Sequence, residues 1–117
     1  MTNTLLESNE LPDWFTYPEA AKLLVSKNLI DLQPWLILTG EHLRLCDNYY
    51  LNCGVVPYAI RLDNDDIIGW SQKHNGKLAR FDRTGLAFGL DQIYNDLWEW
   101  LQAAVNDVAD FHADLTA

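Results

Sequence analysis

No lysine or arginine occurs after Arg83: Thr84 to Ala117 holds six acidic residues and no cation. Basic residues are scarce throughout. Up to Arg83 there are eight against eleven acids, leaving −3, and the acidic remainder brings the chain to −9. That balance argues against a nucleic-acid or anionic-membrane binder, since both need lysine and arginine surfaces. It leaves a basic partner, or simply good solubility. Cysteine is limited to Cys46 and Cys53. Both are expected to be free thiols in a reducing compartment. A chain of 117 residues can bury a core without such staples. Long apolar runs are missing as well: no segment reaches the roughly 18 residues of a membrane span. Met1 to Glu10 is polar and lacks the basic region and apolar run of a secretory leader, so a cytoplasmic location is expected.

Catalytic and metal-binding patterns are equally sparse. His42, His74 and His112 have no Cys or His partners at ligand spacing. His42 and Cys46 can share a helix face, but two ligands do not make a zinc site. Gly85 to Gly89 lacks the Lys-Ser/Thr ending of a phosphate loop. Asp63-Asn64-Asp65-Asp66 is the one carboxylate cluster. It lacks the sixth-position glycine and closing glutamate of an EF-hand, and a turn explains it more simply than a cation site. No enzyme activity, no metal and no cofactor are expected.

What is present suits a folded domain. Apolar residues make up 49% and aromatics 12%, with five tryptophans. One domain is expected over residues 1–117, with 1–10 as a loose start. Thr16 can cap a short helix with Pro18 in its first turn and Glu19 at its third position, ending near Asn28. Asp31 to Trp35 contains Pro34 and reads as a turn. Trp35 to Leu38 is an apolar run, either a buried strand or the end of an element. Glu41 to Tyr50 can form a helix, with Leu43 and Cys46 or Tyr50 facing in.

The centre carries the clearest signals. Val55 to Leu62 is β-branched and aromatic, and reads as a strand. Asp63 to Asp66 is a turn and Ile67 to Ser71 a second strand. His74-Asn75-Gly76 is a hairpin signal, followed by alternation over Lys77 to Asp82. The reading is a meander of three strands. Thr84 to Gly89 is a connection, and Asp91 is expected to start a long helix.

At 100° per residue, that helix gathers Ile93, Leu97, Leu101, Ala104, Val105, Val108 and Phe111 on one side. Trp98 and Trp100 flank it. Asp96, Glu99, Asp107, Asp110 and Asp114 gather on the other side, with Trp100 at the edge of the stripe and partly exposed. Acids near a helix C-terminus oppose the macrodipole. No cation at i,i+4 offsets them. Stability alone would not choose this arrangement. The stripe is therefore either a plain solvated face or a surface for a basic partner.

Val56-Pro57-Tyr58-Ala59-Ile60-Arg61-Leu62-Asp63-Asn64-Asp65-Asp66-Ile67-Ile68-Gly69-Trp70 resembles the core motif of the SUKH superfamily. There an apolar-Pro-aromatic-Ala strand leads to an Asp/Gly-rich turn and a further strand. The Leu11-Pro12 start, Trp14, Phe15, the Trp35 segment and the aromatic last helix also stand where that family places them. The Asn-Gly-Gly turn common after its first helices is replaced by Ser26 to Leu29. The resemblance implies an α+β domain: a twisted, mainly antiparallel sheet with helices packed against it. It also implies an immunity-type protein that neutralises a cognate toxin, often a nuclease, by direct binding and without a catalytic centre. The partner-binding residues expected on this reading are Asp63, Asp65, Asp66, Asp96, Glu99, Trp100, Asp107, Asp110 and Asp114, with Trp100 as the aromatic anchor. The alternative is an intracellular regulatory or interaction protein of the same fold with no toxin partner.

Overall fold

The structure is a computed structural model that describes residues 4–82 and 90–116. Among them the chain builds an α+β domain on one antiparallel sheet whose spatial order follows the sequence: β1 (Asp31–Leu32), β2 (Trp35–Ile37), β3 (Val55–Arg61), β4 (Ile67–Ser71), β5 (Lys77–Phe81) and β6 (Leu90–Tyr94). The helices are α1 (Glu19–Ser26), α2 (Gly40–Asn52) and the long C-terminal α3 (Leu97–Thr116).

The expected meander is β3, β4 and β5, paired as neighbours. Its register shifts between Pro57 and Ala59, where proline lacks the N–H that a regular ladder needs. Pro57 lies opposite Gly69. A Cβ on Gly69 would stand 2.6 Å from the Val56 carbonyl oxygen, so the two strands can approach this closely only at glycine. The Trp35 segment is a buried strand, β2, in hairpin with β1.

Two faces of the sheet pack differently. Val56, Tyr58, Ile68, Trp70 and Leu78 join Ala21 and Leu24 of α1 and Leu97, Trp100 and Ala104 of α3 in the main core. Edge-to-face contacts run from Tyr17 to Trp70, Tyr58, Trp100 and Trp35, with centroids 5.0–6.4 Å apart. Burial pushes the Tyr58 phenol well above its usual range, and its hydroxyl donates to the Ala21 carbonyl at 2.9 Å. On the opposite face Val55, Ala79 and Phe81 form a smaller cluster with Tyr50 of α2.

Three expectations change. Asp91 does not start the helix. Residues 90–94 form β6, which pairs Tyr94 with Leu78 and Ile93 with Ala79. The helix begins at Leu97 because Asp96 accepts the Glu99 N–H at 2.8 Å as its cap, and Ile93 is left on a strand rather than on the helix face. Thr16 is not the cap of α1; Pro18 stands at that position. The described part of the N-terminus is not loose. Leu6 is buried in the main core, and Arg44 of α2 clamps the segment through two bonds to Glu10 at 2.7 and 2.9 Å and one to the Leu5 carbonyl at 3.1 Å. Thr84 to Gly89 lies outside the described residues, apart from which no helix is long and apolar enough to cross a membrane.

Candidate partner-binding surface

The position of α3 decides which acids are available. Its buried arc holds Leu97, Trp100 and Ala104, with Asp107 at the margin. Relative to the expected apolar side, the helix is turned by roughly 40° toward Trp100, less than half of one residue step. The cause is in the sheet. Trp35 of β2 is fully buried and meets Trp100 edge-to-face at 5.6 Å. It also donates its indole N–H to the Asp107 carboxylate at 2.9 Å.

Trp100 is therefore not an exposed anchor. It is 1% exposed, among the largest buried side chains of the core. Trp98, at 49% exposure, and Val105, at 55%, face outward instead. With Leu101, Gln102 and Asn106 they line an open groove of about 910 Å3, bordered by Asp96 and Glu99. The spacing 98, 101, 105 is that of one helix face. The sequence carried this signal, but the same spacing reads equally well as a core-facing side.

The expected acids fall into separate groups. Asp96 and Glu99 are exposed at the N-terminal end of α3, where negative charge is favoured by the macrodipole. Glu99 accepts hydrogen bonds from the Asn95 N–H and side-chain amide at 3.0 and 3.2 Å. Farther along, Arg61 of β3 joins Asp63 at 2.7 Å to Asp107 at 3.4 Å. That end of the helix meets the Asp63 turn, since Asp63, Leu62, Pro34 and Phe111 line one small hollow. Asp107 is thus a neutralised, load-sharing acceptor rather than a member of a free stripe. Asp110 is exposed. Asp114 has its backbone in α3, and its side chain lies outside the described residues.

The Asp63–Asp66 turn is likewise divided. Asp66 does not add to the negative surface: it is buried, and one of its oxygens takes two bonds from Arg80 at 2.8 and 3.0 Å. The Arg80 guanidinium also lies over the Trp35 ring, 5.2 Å from its centroid. Asp65 is exposed and adopts φ 65°, a left-handed conformation that aspartate tolerates. With Asp63 and Asp66 each committed to a different arginine, the three carboxylates do not converge. Among the described residues no group of three or more His, Cys, Asp or Glu side chains is placed to hold a metal ion.

Ser71 Oγ and His74 Nδ1 stand 2.8 Å apart. Ser71 is buried, and no carboxylate among the described residues orients the imidazole. The pair closes the turn between β4 and β5. Cys53 is an exposed free thiol, while the Cys46 side chain lies outside the described residues. Comparison with protein-family models, with curated proteins and with solved structures finds no match for this chain.

Proposed function

We propose that this chain is a non-catalytic, immunity-type binding protein that neutralises a cognate basic protein toxin, a nuclease being the expected class, by direct binding through the outward face of α3. One observation carries the reading: two exposed apolar side chains, Trp98 and Val105, with half-buried Leu101 between them, lie on a helix whose solvent-facing charges are all acidic among the described residues. A large aromatic exposed to water suits the anchor of an interface. The acids around it suit a partner that handles polyanions, because a nuclease must present cations to phosphate. The resemblance of Val56 to Trp70 to the SUKH motif supports the same class of role. Charge of this kind speeds encounter and selects partners, while the apolar row holds the complex together.

The test pairs the chain with any secreted toxin found encoded beside its gene. Asp96→Asn and Glu99→Gln keep the hydrogen-bond acceptors at the helix start, and Asp110→Asn removes an exposed charge from the C-terminal half of the helix, where it opposes the macrodipole. Combined, they are expected to leave the melting temperature level, slow association roughly tenfold and flatten its salt dependence. Trp98→Ala is expected to speed dissociation. An unchanged association rate would move the interface away from α3. If no neighbouring toxin is bound, the chain is a regulatory or interaction protein of the same fold.

A further inference from the structure

The sheet face opposite α1 and α3 holds a second pocket, of about 310 Å3. Its floor is Ile60, Ile67 and Phe81, neighbours across β3, β4 and β5. Its wall is aromatic: Tyr50 packs on the Phe81 cluster, and Tyr49 stands edge-to-face to Tyr50 with centroids 5.2 Å apart. Tyr49 is 62% exposed, so its ring borders the opening. Two exposed acids, Asp65 and Asp82, complete the rim.

This combination selects its guest. An apolar guest would strip water from Asp65 with nothing to pair it. An anion would be repelled. A cation satisfies both the carboxylate and the ring faces. Guanidinium does so better than ammonium, because it is planar, weakly hydrated and able to stack on tyrosine while donating to a carboxylate. The volume lies at the lower end of ligand sites, about 300–1,000 Å3, which suits one side chain or a molecule of that size. No Lys or Arg among the described residues lines the pocket. The guanidiniums of Arg44, Arg61 and Arg80 are engaged at Glu10, at Asp63 with Asp107, and at Asp66.

We propose that this pocket receives a guanidinium group, stacked on Tyr49 and Tyr50 and paired with Asp65. The guest is either an arginine side chain of another protein or a free guanidino compound. This site stands independently of the α3 surface, and the toxin reading can fail without affecting it.

The test is an NMR titration of the full chain with N-acetyl-arginine N-methylamide, with agmatine, and with the neutral isostere N-acetyl-citrulline N-methylamide. Saturable shifts are expected at Tyr49, Tyr50, Ile67 and Phe81, with the citrulline compound roughly tenfold weaker. Asp65→Asn should weaken the arginine compound by a similar factor and leave the remaining spectrum unchanged, because asparagine also adopts the left-handed backbone found here. Tighter binding of the capped arginine than of agmatine assigns the guest to a protein side chain, and the reverse assigns it to a free compound. Equal binding of citrulline, shifts that never saturate, or an unchanged affinity in Asp65→Asn would overturn the inference.

Discussion

Trp35 and Asp107, 72 residues apart in sequence, are joined by a hydrogen bond of 2.9 Å from the indole N–H to the carboxylate. The bond locks the rotation of α3 against β2, and so sets which side of that helix meets water. Arg61 reaches the same carboxylate oxygen, so one acid closes contacts from two strands.

Asp107 should therefore behave unlike its neighbours on the helix. Asp107→Ala leaves a buried indole N–H unpaired and is expected to cost about 1–3 kcal/mol. Asp110→Asn should stay within about 0.5 kcal/mol, as exposed substitutions do. Urea unfolding of the two variants measures the difference. Equal stabilities would show that the Trp35 bond contributes nothing.

The carboxylates of the Asp63–Asp66 turn should also separate. Asp66→Asn weakens a buried pair with Arg80 and is expected to cost about 2–3 kcal/mol. Asp65→Asn and Asp63→Asn should each cost less than about 1 kcal/mol, because the first is exposed and the second breaks only a half-exposed ion pair. Melting temperatures of the three single variants would reveal the order, and a uniform response would contradict it.

The two tryptophans of α3 should exchange the roles that the helix pattern alone suggests. Trp100→Ala is expected to destabilise by roughly 3–5 kcal/mol, the usual cost of emptying a large core site. Trp98→Ala should cost under about 1 kcal/mol. Trp100→Phe should recover much of the loss, since the Nε1–H it deletes is buried with no hydrogen-bond partner among the described residues. Denaturant midpoints for the three proteins decide the matter.

Acid should release the N-terminal segment. The bonds from Arg44, then the Glu7 N–H, hold the Glu10 carboxyl below the usual glutamate range. A depressed folded-state value means stability that is present above the unfolded value, about 4.3, and is lost as pH falls through the folded one. Glu10→Gln should accordingly be less stable than the parent near neutral pH and approach it in acid. Hydrogen exchange at Leu6 should quicken over the same range in the parent. A stability gap that persisted at low pH would rule out Glu10 as its source.

The meander was legible from residues 55–82 because its signals are local. Alternation, β-branched residues and turn formers each act over a few positions, and Asn64, Asp65 and Asn75-Gly76 stand where the chain reverses. Strand β6 was not legible in this way. Ile93 and Tyr94 fit the period of a helix as well as that of a strand, and only the open edge of β5 settles the choice. The anchoring of residues 4–10 depends on Arg44, more than thirty positions away, which no local pattern contains.

The candidate surface divides along the same line. Sequence alone determined that the C-terminal helix is amphipathic and acidic, since periodicity and charge are properties of the chain itself. Only the tertiary structure decided that Trp100 lies inside and Trp98 outside, that Asp66 and Asp107 are neutralised by Arg80 and Arg61, and that Asp96 and Glu99 remain open to water. The physical reason is that a helix with apolar residues over more than half its circumference can pack at several rotations of similar local merit. The choice among them falls to partners such as Trp35 and Arg61, which are distant in sequence and brought to the helix only by the sheet.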